Sequence, residues 1–214
     1  MSTSEFSYIP ESQEQSFGNN NGIFKPKDIY DLVRDNKWSL FGNLELIETI
    51  NASGGATIDF TSIKETYYDV HLLTFANVQS SANNDVAGIR LYESGVLETA
   101  NVYEYALQSN NTDPSFTEVK STGDSKIRFL GGYSTNFNFT GNGYIYFYNL
   151  GDSTKYSFCS LMNTTGTDGN DYNSMFGSGV LPQTSTVDGI RLFNYFASGN
   201  FDEGVFSLYG IQGA

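Results

Sequence analysis

Histidine and cysteine are nearly absent from this sequence, which contains one residue of each. A single cysteine, Cys159, excludes an intrachain disulfide. It lies in the strand-like run of residues 156–161, so we expect a buried, small apolar side chain and not a nucleophile. His71 lies in an equally apolar run with no second histidine to join it, so a catalytic or metal-binding role is not expected. Nucleophilic triads, which need such a base, are disfavoured.

Positive charge is also scarce, with 11 Lys and Arg against 24 Asp and Glu and a net charge of −13. No basic stripe is present, and the sequence therefore predicts no nucleic-acid partner. It contains no run of eighteen apolar residues, so we predict no membrane insertion. The first residues lack the basic and apolar regions of a signal peptide, and we expect synthesis in a cytoplasm without a classical export signal.

Turn formers and aromatic residues are abundant instead, with 22 Gly, 15 Tyr and 17 Phe. This composition favours strands joined by turns. Polar stretches at 108–124, 131–143 and 163–173 are interpreted as loops or turns. About ten strands are predicted, with no helices between them, at residues 44–50, 56–60, 67–78, 86–92, 96–107, 126–130, 144–150, 156–161, 186–196 and 204–211, together with a weak strand at 175–181. The fold class is therefore predicted to be all-β, an antiparallel two-sheet β-sandwich of jelly-roll-like type.

The C-terminal stretch predicts two strands separated by a cluster of turn formers, which we expect to pair and to close a sheet. A period of two places Ile190 and Leu192 on one face of the first strand and Phe193 with Tyr195 on the other. In the second strand, Phe206 and Leu208 share a face, opposite a second set formed by Val205, Tyr209 and Ile211.

Residues 1–41 differ in character from residues 42–214, which we predict to be the β-sandwich domain. The first segment is polar, with one short helix predicted near residues 27–35. It is either a disordered tail or an extended arm that orders against a partner. In the second interpretation it is an attachment arm, and its anchors are spaced hydrophobic residues: Phe6, Tyr8, Ile9, Phe17, Ile29, Leu32, Val33 and Trp38.

Three tyrosines, Tyr144, Tyr146 and Tyr148, alternate with Ile145 and Phe147. A period of two places the three phenols on one face. Buried phenol groups need hydrogen-bond partners, so an exposed or interface position is easier to satisfy. Three interpretations remain open: a subunit interface, an ordinary half-exposed sheet face, or a stacking platform for a sugar ring.

Paired carboxylates could in principle support glycoside hydrolysis. Each available acid also fits a solvated strand face or a turn, and we therefore predict that the protein is not an enzyme and uses no cofactor and no metal. The acids considered are Glu93, Glu98, Glu104, Asp202 and Glu203.

Several stretches together resemble tail-fibre and other appendage proteins of tailed bacteriophages, marine phages especially. They are the arm, the segment GIFKPKDIYDL at residues 22–32 with Lys37 and Trp38, and the body stretches 58–62, 68–72, 146–151 and 206–211. In such proteins an N-terminal segment attaches to the particle, and a C-terminal β-domain, commonly trimeric, faces outward.

The resemblance implies a virion structural protein, assembled in the host cytoplasm and present in the virion as a short fibre or appendage. Its partners would be tail, neck or capsid proteins, bound through the arm, with further copies of itself in a homotrimer. A host-surface glycan or receptor is the candidate external ligand. A head decoration or fibre protein and a free-standing carbohydrate-binding β-sandwich module remain as alternatives.

Overall fold

In this computed structural model, residues 26–34, 44–112, 116–136, 138–166 and 171–211 are described. The chain divides into two units, residues 1–43 and 44–214, and each is described by itself. In the first unit the described element is helix α1 (Pro26–Arg34), which confirms the predicted short helix. Asp31 binds Lys27 Nζ at 2.7 Å and Arg34 NH1 at 3.0 Å, one helical turn away on either side. These exposed pairs add little to stability.

The described residues of the second unit form thirteen strands. They are β1 (Leu44–Asn51), β2 (Thr57–Phe60), β3 (Val70–Ser80), β4 (Asp85–Glu93), β5 (Val96–Leu97), β6 (Tyr103–Asn111), β7 (Phe116–Asp124), β8 (Ile127–Tyr133), β9 (Gly141–Tyr148), β10 (Ser157–Gly166), β11 (Tyr172–Leu181), β12 (Val187–Asn194) and β13 (Phe201–Ile211).

These strands form two antiparallel sheets that pack as a sandwich. The large sheet has eight strands in the order β1-β13-β3-β9-β10-β11-β6-β7. The small sheet has the order β2-β12-β4-β5, and β8 also pairs with β4. The all-β, two-sheet prediction is confirmed.

The core lies between the two sheets and is built from alternate residues of their strands. Leu73 and Ile145 of the large sheet are fully buried, as are Ile89 and Leu192 of the small sheet. Aromatic rings meet across the gap, with Phe75 of β3 and Phe129 of β8 edge to face at a centroid distance of 5.3 Å. Side chains from both sheets thus contribute to one core, and this shared packing holds the two sheets face to face.

The predicted faces of the two C-terminal strands are confirmed, but their predicted pairing is wrong. Ile190, Leu192, Phe206 and Leu208 are all fully buried. However, β12 lies between β2 and β4 in the small sheet, and β13 lies between β1 and β3 in the large sheet. The alternation of apolar residues predicts which side chains of a strand face inward. It does not predict which strand pairs with it.

Two segments predicted as polar loops are hairpins instead. Residues 108–124 contain the end of β6 and all of β7, and residues 163–173 contain the end of β10 and the start of β11. These segments are rich in Ser, Thr and Asn on both sides, and ladder hydrogen bonds from the neighbouring strand hold their backbone.

Two other strand boundaries also differ from the prediction. The segment predicted as one strand at residues 96–107 is broken between β5 and β6, where the Ala100 N–H donates to Glu98 Oε1 at 2.6 Å. Strand β8 extends to Tyr133, into the stretch expected to be turns. The local side-chain cap at Glu98 competes with the ladder, which explains the break.

Candidate functional site

The three tyrosines of β9 lie on one face, as predicted. Ile145 and Phe147 between them are buried in the core, whereas Tyr144 is 41% exposed and Tyr146 and Tyr148 are half-buried. The side of β9 that carries the phenols therefore faces away from the small sheet.

The tyrosine rings form a continuous row along β9. Tyr144 and Tyr146 meet edge to face at 5.7 Å, and Tyr146 stacks on Tyr148 at 6.4 Å. The Tyr148 hydroxyl lies 3.0 Å from Ser160 Oγ, and the Tyr144 hydroxyl donates to Met162 Sδ at 3.8 Å. Two of the phenols thus find partners on the neighbouring strand, and the row is held in place against β10.

The register of the large sheet extends this surface over four more strands, and we call it the outer face. Each of five adjacent strands contributes four outward side chains. They are Val205, Ser207, Tyr209 and Ile211 of β13; Val70, Leu72, Thr74 and Ala76 of β3; Asn142, Tyr144, Tyr146 and Tyr148 of β9; Phe158, Ser160, Met162 and Thr164 of β10; and Ser174, Phe176, Ser178 and Val180 of β11.

No charged side chain occurs among these outward residues of the outer face. Four of them are large, apolar and substantially exposed: Phe158 (46%), Met162 (42%), Phe176 (46%) and Val205 (42%). Leu44 and Leu46 of β1 are also exposed and extend the apolar surface by one strand. Sequence reasoning identified the tyrosines but missed these residues, although Phe158, Ser160 and Met162 already alternate with Cys159 and Leu161.

Charge begins at the border of the outer face. A cleft of about 540 Å³ lies beside Phe158, and Glu104 of β6 and Lys120 of β7 are among the residues that line it. Lys120 Nζ lies 2.6 Å from Glu118 Oε2. An apolar centre with polar groups at its edge is the anatomy of a protein–protein interface.

The outward side of the small sheet is arranged differently, because cations cover its aromatic rings. Arg90 lies over the ring of Phe193 at 4.4 Å, and Lys126 over that of Tyr195 at 4.1 Å. The cation–π pairs found among the described residues all lie on this sheet. These aromatic rings are therefore covered by cations of the same chain.

An ion pair between Arg191 and Asp59 also lies on the outward side of the small sheet. Arg191 Nε lies 2.6 Å from Asp59 Oδ1, and the Tyr92 hydroxyl donates to the same oxygen at 2.7 Å. Burial raises the pKa of Asp59, but hydrogen bonds from Arg191, Thr57 and Tyr92 outweigh it and leave the pKa below its ordinary value. This carboxylate stays ionised and is engaged by its neighbours.

Of the five acids considered for hydrolysis, the structure brings Glu93 and Glu98 together across the β4–β5 hairpin. Burial raises the pKa of Glu93, and the hydrogen bond that its protonated carboxyl group donates to Glu98 acts in the same direction. The Ala100 N–H lowers the pKa of Glu98. The Ser185 hydroxyl donates to Glu93, and the Gln183 amide lies within hydrogen-bonding distance of both carboxyl groups.

Cys159 and His71 both point into the core. Burial raises the pKa of the Cys159 thiol to about 12. Burial lowers the pKa of His71, whose Nε2 lies 2.8 Å from the carbonyl oxygen of Ile63. Within the part of the chain that the structure describes, no three His, Cys, Asp or Glu side chains are grouped so that they could hold a metal ion.

The predicted attachment residues fall mostly beyond the described ranges. Phe6, Tyr8, Ile9, Phe17 and Trp38 lie outside the described residues. Ile29 lies on α1 and is 37% exposed, while Leu32 and Val33 lie on the same helix with only their backbone described. Their role as anchors stays a prediction.

Comparison with known proteins returns nothing for this chain. A scan against protein-family models, a search of curated proteins and a search of solved structures each found no match. Among the described residues, none of the helical structure is long and apolar enough to cross a membrane. The surfaces themselves therefore carry the functional argument.

Proposed function

We propose that this protein is a non-enzymatic structural component of a bacteriophage particle, a short appendage whose subunits associate through the outer face of the large sheet. The observation that supports this proposal is the uncharged, aromatic character of that face across five adjacent strands. The resemblance to tail-fibre and appendage proteins supplies the setting, with a homotrimer as the expected assembly and residues 1–41 as the arm that binds the particle.

The size of the outer face suits a subunit interface. Strands about 4.8 Å apart, with outward side chains about 6.7 Å apart, give a face of roughly 600 Å². A typical stable interface covers about 800 Å² on each partner. Monomers rarely expose an apolar patch larger than roughly 300–600 Å². With Leu44 and Leu46 added, the area of the outer face approaches that of one partner's side of a typical interface.

Charge favours a second copy of this chain as the occupant. The net charge is −13, so two copies repel each other over most approaches. Contact through the outer face brings together surfaces without charge, and it keeps the carboxylates at the periphery, where water solvates them. The hydroxyls of Tyr144 and Tyr148, already bonded to Met162 and Ser160, can enter such an interface without losing their partners.

Native mass spectrometry of the full chain tests the assembly. We expect a homotrimer, and we expect the double variant Phe158→Asp, Phe176→Asp to be monomeric, because burying unpaired carboxylates costs several kcal/mol. Phe196→Asp, at a phenylalanine that is 67% exposed outside the outer face, is the matched control and should remain trimeric. A wild-type chain that is monomeric at all concentrations tested would contradict the proposal, and a dimer would overturn the trimer alone.

A further inference from the structure

A cleft of about 550 Å³ lies at one end of the large sheet, where β9, β10, β11 and β6 run side by side. Its walls include an outward row in register across these strands, formed by Asn142, Thr164, Ser174 and Asn110. The cleft is also lined by two aromatic residues, Phe139 from the segment before β9 and Tyr172 at the start of β11. We propose that this cleft binds a neutral oligosaccharide.

The chemistry of the walls selects for an uncharged, hydroxyl-rich ligand. The described residues that line the cleft are asparagines, threonines, a serine, a glycine and two aromatics, with no charged side chain among them. This is unusual in a chain of net charge −13. A phosphate or carboxylate ligand would find no counter-ion here. A wholly apolar ligand would strip water from the amides without replacing their hydrogen bonds.

The row of polar side chains has the length of an extended ligand. Four strands about 4.8 Å apart place its first and last members roughly 14 Å from each other. Amide and hydroxyl groups at each step can both donate and accept hydrogen bonds, as sugar hydroxyls do. The cleft therefore suits an oligosaccharide laid across the strands better than a single ring.

Two of the asparagine side chains that line the cleft are held by hydrogen bonds before any ligand arrives. Asn142 Nδ2 donates to the carbonyl oxygen of Thr140 at 3.0 Å, and Asn142 Oδ1 accepts from the Asn77 N–H at 2.9 Å. Asn173 Nδ2 donates to Ser109 Oγ and Asn111 Oδ1, both at 2.6 Å. Groups that are already ordered lose little entropy when they bind, which raises affinity.

Some polar atoms of the cleft remain open to a ligand. Among the described residues, Asn173 alternates with Tyr172 and Ser174 and is therefore on the other side of the strand from the outward row, where its amide bonds Ser109 and Asn111. The side-chain amide of Asn110 has no partner in the same part of the chain and is half-buried. Donors and acceptors that converge on a concave surface are the usual specificity elements of a small-ligand site.

The two aromatic side chains provide the apolar part of the site. Phe139 and Tyr172 meet edge to face at 5.9 Å, and Tyr172 is 60% exposed. The Phe139 ring lies against the backbone of Gly166, where an added Cβ would come within 2.5 Å of Phe139 Cδ1. A large exposed ring beside fixed amides offers a surface for the C–H face of a sugar.

The backbone also holds Tyr172 in position. The Tyr172 N–H donates to Thr112 Oγ1, and the Thr112 N–H donates to the Tyr172 carbonyl oxygen, both at 3.0 Å. The ring therefore projects from a fixed point at the start of β11. By contrast, Tyr146 and Tyr148 are stacked on each other in the middle of the flat outer face and do not line this cleft.

A glycan array probed with the full chain tests the proposal. The array carries neutral glucans, galactans, mannans and N-acetylglucosamine oligomers, with sialylated and sulfated glycans as charged controls. We expect binding to at least one neutral class and none that depends on acidic groups. Absence of binding to every neutral glycan, or preference for the acidic ones, would overturn the proposal.

Variants then locate the binding site by calorimetry with the best neutral oligosaccharide. Tyr172→Ala and Asn110→Ala should each weaken binding about tenfold or more, as expected when a ring contact or a pair of hydrogen bonds is lost. Tyr67→Ala removes a tyrosine that is 76% exposed outside the cleft and should bind as the wild type does. Equal affinity in Tyr172→Ala and wild type would place the sugar elsewhere and overturn the assignment.

The cleft takes in the last row of the outer face, Asn142, Thr164 and Ser174, so the association proposed above uses the remaining rows, which carry Phe158, Met162 and Phe176. The double variant Phe158→Asp, Phe176→Asp leaves all the lining residues unchanged. As a monomer it should bind the soluble oligosaccharide with the wild-type affinity per subunit. Failure of association and failure of sugar binding are therefore recorded by different measurements.

Discussion

The pKa of Glu93 depends on contacts that the sequence does not reveal. In the sequence it is an acid beside a Ser-Gly turn, and its partner Glu98 follows five residues later. The structure adds the Ser185 hydroxyl and the Gln183 amide from a distant segment. Contacts between segments so far apart depend on the fold, so no local pattern predicts the raised pKa of Glu93.

Glu93→Gln should stabilise the protein at neutral pH. Because the pKa of Glu93 is higher in the folded than in the unfolded state, its contribution to stability is fully present below the unfolded pKa, near 4.5. That contribution is lost as the pH rises through the folded pKa. Glutamine is neutral throughout, and it retains an acceptor for Ser185. We expect a melting temperature about 2 °C higher at pH 7, which corresponds to roughly 0.5–1 kcal/mol.

Thermal unfolding at pH 7 and pH 4 measures this effect. The difference between Glu93→Gln and wild type should shrink at pH 4, where Glu93 already carries its proton. Glu104→Gln, at an exposed glutamate of β6, is the control for a simple loss of negative charge. An equal gain in both variants would mean that general charge repulsion, and not the Glu93–Glu98 pair, is responsible.

At the scale of elements, the crossing from β12 to β13 carries the chain from the small sheet to the large one. Asp85, fully buried at the start of β4, holds this segment. Its Oδ1 accepts from the N–H groups of Val86 at 2.8 Å and Ala197 at 2.9 Å. Its Oδ2 accepts from the Gly199 N–H at 3.0 Å and from Ser80 Oγ at 2.8 Å. One carboxylate thereby fixes the path between the two sheets.

Asp85→Ala should lower the free energy of unfolding by about 3 kcal/mol or more, because it removes several hydrogen bonds to a charged group and leaves buried N–H groups without a partner. Urea unfolding followed by tyrosine fluorescence measures the change. Asp202→Ala, at an exposed acid near the start of β13, is the matched control and should have little effect. An unchanged midpoint in Asp85→Ala would show that the crossing is held by its packing alone.

The same crossing shows how far sequence reasoning extends for this protein. Alternation predicts correctly that Leu192 and Phe206 face inward, because only one face of each strand can be buried. It does not predict that their strands belong to different sheets, since strand pairing depends on contacts between distant segments. The polar ends of β10 and β11 are predicted as part of a loop for a related reason. Their polar residues are typical of a loop until a neighbouring strand supplies the backbone hydrogen bonds.

At the scale of the whole molecule, the two sides of the sandwich differ in how their aromatic residues are treated. On the small sheet, Arg90, Lys126 and Arg191 cover the rings. On the large sheet, Phe158 and Phe176 are exposed, and the cation–π contacts found among the described residues involve neither ring. The sequence indicates the abundance of aromatic residues. Only the register across the sheets shows that the rings on the small sheet are covered by cations, whereas those on the large sheet are exposed.

Deleting residues 1–41 tests the association of subunits separately from their attachment to the particle. The strand pairs of the body lie within residues 44–211, so the truncated protein should fold. It retains the outer face and should therefore remain a trimer in native mass spectrometry. We propose that it no longer joins the particle, because it lacks the predicted anchors Phe6, Tyr8, Ile9 and Phe17 together with α1. Burying one such side chain contributes about 1.5–3 kcal/mol.

The charge balance supports this division of roles. Residues 1–41 contain six acids and four bases, so the rest of the chain has 24 − 6 = 18 acids and 11 − 4 = 7 bases, and carries −11 of the −13. The arm can therefore approach a partner surface with less repulsion than the body. Quantitative mass spectrometry of purified particles measures the copy number of full-length and truncated chains. A truncated chain present at the normal copy number would show that the body itself binds the particle and that the arm is not the anchor.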